Sequence, residues 1–276
     1  MGFSSEVLAL EIEGHVATLW LDRAEARNAM GRALWRDLPL AAATVAAERD
    51  VRVLVIGARG PHFSVGLDLK EMGSSLVGTG SGSTSRAAAN AVTYESVRTM
   101  QDSVSAIADL RVPVIAAVHG YCIGGGVDLV SACDIRLAAK DATFSVREAK
   151  VAIVADLGSL QRLPRIVGAG HLAELAFTGK DIDASRAAEI GLVNWVEGES
   201  ADGVMQAALR LAHEIAANSP LAVEGTKKVL AANDGHTVSQ GLEFVARWNT
   251  MYLQSNDLKE AMTAFLEKRP AVFTGD

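Results

Sequence analysis

Val112-Pro113-Val114-Ile115-Ala116-Ala117-Val118-His119-Gly120-Tyr121-Cys122-Ile123-Gly124-Gly125-Gly126-Val127-Asp128-Leu129 is the stretch that decides the fold. Val112–Val118 is a short apolar run rich in β-branched side chains, the pattern of a strand buried on both faces. Three consecutive glycines follow, and a helix starts near Gly125. Val51–Ile56 upstream is a second buried run, and Asp134–Ala138 downstream is a third strand candidate. Strands alternating with helices imply βαβ units and a mainly parallel sheet, hence an α/β fold.

Outward from this centre, Leu8, Leu10 and Ile12 alternate with Ala9, Glu11 and Glu13, and His15–Leu21 continues in extended style. Together they predict a hairpin turning near Gly14. Leu34, Leu38, Ala41 and Val45 recur at helical spacing and predict a helix with one buried face. Gly73–Ser85 is rich in Gly and Ser and is expected to be a mobile loop within one domain. From about Ala201 the pattern turns helical: Val204, Ala208, Leu211 and Ile215 share a face, as do Leu242, Val245, Trp248 and Tyr252. Asp257–Lys268 predicts a last helix stopped before Pro270. The expected division is a core over residues 1–200 and a helical region over 201–276.

Composition narrows the function. With 276 residues, 49% hydrophobic and 21% charged, the chain is ordinary for a globular protein. A net charge of −7 without a basic run argues against nucleic-acid binding, and no apolar stretch is long enough for a membrane span. Cys122 and Cys133 suit a reducing compartment, and neither they nor the six histidines are spaced as metal ligands. The N-terminus does not resemble a signal or transit peptide, so a cytoplasmic location is expected.

The glycine turn at 124–126 lets a ligand approach the backbone closely. It is neither GxGxxG nor GxxxxGK[ST], and no GxSxG elbow exists, which leaves an N–H pair suited to a developing oxyanion. His62-Phe63-Ser64-Val65-Gly66-Leu67-Asp68-Leu69 is a second glycine turn that could supply the partner N–H. Each turn, taken alone, is equally readable as tight packing or an ordinary loop.

Leu21-Asp22-Arg23, Arg27-Asn28-Ala29, Phe63–Asp68 and His119–Gly126 resemble, in order and spacing, the crotonase (enoyl-CoA hydratase/isomerase) superfamily. Cys133-Asp134-Ile135-Arg136, Gln161-Arg162-Leu163-Pro164 and Phe265-Leu266-Glu267-Lys268-Arg269 extend the resemblance over nearly the whole chain. It implies a spiral ββα core, a C-terminal helical oligomerisation region, a homotrimer or dimer of trimers, and an acyl-CoA thioester substrate. It further implies an oxyanion hole from the N–H groups of Leu67 and Gly125. Coenzyme A would be part of the substrate, and no separate cofactor is called for. Arg23, Arg27, Val65, Asp68, Lys70, Gly124 and Lys268 fall where the superfamily contacts substrate or CoA.

Carboxylates then decide which protons move. Asp128 and Glu148 stand at the spacing of the two acidic residues of family hydratases, and Asp156 adds a carboxylate where hydratases carry glycine. The trio resembles the Δ3,5–Δ2,4-dienoyl-CoA isomerases, in which a proton leaves C2 and another arrives at C6. On that resemblance Glu148 is the base at C2 and Asp156 the acid at C6, kept protonated by an apolar tunnel, while Asp128 orients or tunes Glu148. Plainer readings exist for each: a helix-dipole partner for Asp128, a surface ion pair for Glu148 beside Arg147 and Lys150, a helix cap for Asp156. Ala152 departs from the subfamily's Gly, and its methyl is expected to narrow the tunnel or alter chain-length preference. Competing functions are a 2-enoyl-CoA hydratase, a single-base Δ3–Δ2-enoyl-CoA isomerase using Glu148, and a non-catalytic acyl-CoA-binding scaffold.

Overall fold

The computed structural model describes residues 2–77 and 85–276. Its main sheet runs β1 (Phe3–Ser4), β2 (Leu8–Glu13), β3 (Val16–Leu21), β4 (Val53–Ala58), β5 (Val114–Val118), β7 (Ile135–Ala138) and β10 (Trp195–Val196) in that spatial order. The first two pairings are antiparallel and the rest parallel, with Val16 opposite Val53, Leu54 opposite Val114, and Ile115 opposite Ile135. The expected hairpin is β2–β3, turning through Gly14, and the three buried runs are β4, β5 and β7. A smaller sheet joins β6 (Tyr121–Ile123), β8 (Thr143–Ser145) and β9 (Ile182–Asp183).

The continuous apolar runs are explained by burial on both sides. Val53, Val55, Ile115, Ala117 and Leu137 face α8 (Ala201–Ala216), meeting Val204, Ala207, Ala208, Ala212 and Ala216. Leu54, Ile56, Val114, Ala116 and Val118 point the other way, into the larger core with α1 (Arg32–Ala47) and α3 (Arg86–Ala108). The strand period of two sorts alternate residues onto the two faces, and each large apolar side chain so buried contributes about 1.5–3 kcal/mol.

The Gly/Ser-rich segment is not all loop. Gly73–Val77 complete α2 (Leu69–Val77), which Asp68 caps by accepting from the N–H groups of Lys70 and Glu71 at 3.1 Å. Ser85 caps α3, its hydroxyl accepting from Ala88 N–H. The remainder of the stretch expected to be mobile, 78–84, lies outside the described residues.

Beyond β5 the chain makes α4 (Gly125–Ser131), α5 (Ser159–Ile166), α6 (Ala169–Thr178) and α7 (Ala184–Glu189). After α8 come α9 (Pro220–Ala232), α10 (Val238–Tyr252) and α11 (Asn256–Glu267), begun by the side-chain caps Ser219, Thr237 and Ser255. Only α8 of the expected 201–276 helical region packs on the sheet. Leu242 and Tyr252, from the anticipated apolar face of α10, are exposed in the single chain, as are Met251, Met262, Phe265 and Leu266.

Candidate active site

Loops leaving the carboxyl ends of β3, β4 and β5 meet in one place, the usual position for a ligand crevice in a parallel sheet. Asn28 ties two of these loops together. Its amide nitrogen donates to the carbonyls of Arg59 and His62, and its oxygen accepts from Arg23 N–H. Asn28 and Arg27 hold φ of 53° and 54°, a left-handed turn in which Asn is well tolerated.

The loop after β4 is built to leave one amide unpaired. Ser64, fully buried, donates its hydroxyl to the Asn28 carbonyl and accepts from Gly66 N–H. Asp68 N–H donates to the Met30 carbonyl at 3.0 Å. Between these two engaged amides, no acceptor among the described residues meets the N–H of Leu67. The same holds for Gly125, the first residue of α4. The two loops touch: a Cβ on Gly66 would lie 3.4 Å from Gly125 N and 2.7 Å from the Ile123 carbonyl. With φ of +83°, Gly66 admits no side chain on either count.

Glu148 begins a short helical turn over Glu148–Val151. A Cβ on Gly124 would stand 3.2 Å from Glu148 Oε1, so the carboxyl borders the glycine turn. Glu148 Oε2 is buried and has no hydrogen-bond partner among the described residues. Burial, then the charge of Asp128, pushes the Glu148 pKa up to about 7. Asp128 is almost wholly buried on α4. Its Oδ1 accepts the backbone N–H of Ser159 at 2.6 Å, and burial raises its pKa to about 6 despite that bond. Asp156 is half-buried, its pKa raised by burial, and its charge acts on both other carboxyls. The structure therefore brings together the three acidic residues singled out from sequence.

Several supports escaped the sequence. Gln101 of α3 donates its side-chain amide to the Asp156 carbonyl at 2.7 Å, across 55 residues. Ser159 anchors Asp128, and Arg162 lends it positive potential while donating to Ser105 Oγ and the Leu157 carbonyl. Gly158, at φ +126°, leaves room for that guanidinium, since a Cβ there would overlap Arg162 Nη1. Nothing in residue type flags Gln101 or Ser159; only the fold brings them near. Ala152 is exposed and left-handed, φ 60°, a conformation that strains an alanine.

The residues expected at the CoA end are more dispersed. Arg23 pairs with Asp68 at 2.9 Å. Burial opposes ionisation of Asp68, but the Glu71 amide and the Arg23 guanidinium hold its pKa below the ordinary value. Arg27 and Lys70 are exposed nearby in sequence, and Val65 N–H donates to the Arg27 carbonyl at 3.2 Å. Lys268 ends α11 in a left-handed turn, with no hydrogen bond or ion pair to the site among the described residues. No cluster of three or more metal-ligating side chains exists among the described residues.

A family model for enoyl-CoA hydratase/isomerase matches residues 11–276. The chain belongs to that family. It is 40% identical to the peroxisomal Δ3,5–Δ2,4-dienoyl-CoA isomerase of Arabidopsis thaliana over 97% of this chain and 96% of the relative. Identity to the mitochondrial Δ3,5–Δ2,4-dienoyl-CoA isomerase of Homo sapiens is also 40%, over 92% and 77% of the two chains. A solved enoyl-CoA hydratase from Bacillus anthracis superposes with a TM-score of 0.88 at 29% identity, covering 98% of this chain and 100% of that one. The α/β crotonase-type fold expected from the motifs is thus the fold of this enoyl-CoA hydratase/isomerase family member.

One expectation is overturned. These relatives are peroxisomal and mitochondrial, so the cytoplasmic location expected from the N-terminal sequence and the two cysteines does not stand. Two buried free thiols suit any reducing compartment and encode no address. Among the described residues, no helix is long and apolar enough to cross a membrane.

Proposed function

We infer that the chain is a Δ3,5–Δ2,4-dienoyl-CoA isomerase acting on an acyl-CoA thioester. The observation that carries this reading is the third carboxyl, Asp156, lying within the field of the Asp128–Glu148 pair. It is supported by the 40% identity to the named dienoyl-CoA isomerases.

The proposed sequence of events begins with the thioester oxygen accepting from the N–H groups of Leu67 and Gly125. Negative charge developing on that oxygen is stabilised there, which lowers the barrier to enolisation. Glu148, as carboxylate, takes a proton from C2. Electrons shift along the chain to give double bonds at C2–C3 and C4–C5, and Asp156, as carboxylic acid, delivers a proton to C6. Glu148 then holds a proton and Asp156 lacks one, so solvent exchange resets both. Burial acts in the direction each role needs: it raises the Asp156 pKa, and it brings Glu148 to about 7, near the optimum for a base at neutral pH. Asp128 tunes Glu148 through its charge.

In this reading Arg23, Arg27, Val65, Asp68, Lys70, Gly124 and Lys268 contribute to holding the CoA ester, and no cofactor is needed beyond CoA as part of the substrate. Residues 1–200 supply the catalytic core, and the exposed apolar surface of α9–α11 within 201–276 supports assembly as a homotrimer or dimer of trimers. The deciding assay is ultraviolet absorbance on two substrates. Conversion of 3,5-dienoyl-CoA to the conjugated product raises near-ultraviolet absorbance, whereas hydration of 2-enoyl-CoA lowers it. Hydration without isomerisation would replace this reading with the hydratase.

A further inference from the structure

We infer that Met30 is a positioning residue that sets the separation of the two thioester-polarising amides. The inference rests on the proposed oxyanion role of Leu67 and Gly125. Met30 is fully buried between the turn after β3 and the start of α1. Its N–H donates to the Gly66 carbonyl at 2.8 Å, and its carbonyl accepts from Asp68 N–H at 3.0 Å. These bonds straddle Leu67 and fix the plane in which its N–H projects. The side chain of the same residue lies against the residue that carries the other donor. A Cβ built on Gly125 would lie 2.9 Å from Met30 Sδ, while its next neighbours, Trp35 Cη2 and Gly66 Cα, are at 3.8 and 3.9 Å.

One residue thus grips the first donor by its main chain and abuts the second through its sulfur. Met suits the task because an unbranched thioether can reach beneath a main chain where a branched side chain would collide. Hydrogen bonds to a developing oxyanion tighten between ground and transition state, so a small shift in either donor falls on turnover more than on binding. Leu34, in the same core, makes no hydrogen bond to either turn among the described residues and is not one of the nearest neighbours of a Cβ on Gly125.

The test compares wild type, Met30→Ala and Leu34→Ala. Each is assayed for kcat and KM on 3,5-dienoyl-CoA, and for the infrared carbonyl stretch of a bound saturated acyl-CoA carrying a ¹³C thioester carbon. The wild type is expected to shift that stretch to lower frequency. Met30→Ala should lose at least half of the shift, with kcat down by about 10–100-fold and KM within about three-fold. Leu34→Ala, a comparable truncation of the core, should keep the wild-type shift and kcat per folded molecule. Wild-type shift and kcat in Met30→Ala would overturn the inference while leaving the oxyanion reading intact. No shift in the wild type would overturn the oxyanion reading itself, and this inference with it.

If Met30→Ala does not fold, Met30→Val still removes the sulfur. Gly125→Ala should then cost at least about ten-fold in kcat beside Met30, and several-fold less in the Met30→Val background. Costs that simply multiply would overturn the inference.

Discussion

Glu148 Oε1 borders the space that a side chain on Gly124 would fill, 3.2 Å from where its Cβ would stand. That position sets a carboxyl one residue from the Gly125 amide. In the proposed reaction a thioester oxygen accepting from that amide turns its C2 hydrogens toward the carboxyl, so that activation and proton removal would share one short segment of chain.

Replacing Glu148 by Gln keeps the shape and removes the base. Turnover of 3,5-dienoyl-CoA should fall by about 10²–10⁴-fold while CoA-ester affinity stays within a few-fold. Steady-state kinetics with an equilibrium binding titration check this, and an unchanged kcat would reduce Glu148 to a structural role.

Asp156→Asn isolates the far end of the proton path. Isomerisation should drop by about 10²-fold or more, yet the C2 hydrogen should still exchange in deuterated water, because Glu148 works without Asp156. Mass spectrometry of recovered substrate measures the exchange. Intact isomerisation in a folded Asp156→Asn protein would remove the argument for a third functional carboxyl.

The pH profile follows from burial. Glu148 must be ionised to act as a base, a requirement met increasingly as pH rises through about 7, and Asp156 must be protonated to act as an acid, which gives a limb of opposite slope, so the activity profile should be bell-shaped. Asp128→Asn deletes a charge that raises Glu148, and the limb that Glu148 sets should move to lower pH. Stability runs the other way. Asp128 and Glu148 bind protons more tightly folded than unfolded, so their contribution is full below about pH 4 and is lost as pH climbs through about 6 and 7. Glu148→Gln should flatten the decline in melting temperature between those limits.

Sedimentation at micromolar concentration should show three or six chains per particle, because Phe265, Leu266, Met262 and Met251 are too exposed for a lone chain to leave bare. A purely monomeric species would remove the interface assigned to α9–α11.

Ala152→Gly should raise the melting temperature. An alanine at φ 60° costs about 1 kcal/mol that glycine does not incur, worth roughly 2 °C in a chain of this size. A lower melting temperature would mean that the methyl makes contacts outweighing its strain.

The fold was legible wherever burial was uniform. β4 and β5 stand out as apolar runs because α8 covers one face and α1 with α3 the other. β9 and β10 are two residues each, too short to show a period. The 23-residue α3 carries only four buried residues, so its stripe is faint. At the site, glycines and acids announced themselves by type and spacing. Ser64, Met30, Gln101 and Ser159 did not, because what they contribute is a hydroxyl, a sulfur or an amide brought in by tertiary packing from distant positions.

Leu67 and Gly125 offer peptide nitrogens, a donor that every residue except proline carries. At Leu67 a codon change that spares the loop's shape would therefore keep the donor, whereas Gly125 must also stay small, since a Cβ there would stand 2.9 Å from Met30 Sδ. The proposed proton-handling half is the opposite: three replaceable side chains at 128, 148 and 156, each a single substitution from silence or a new task. A descendant could trade one reaction for another by editing those three positions alone, inheriting thioester activation without having to reinvent it.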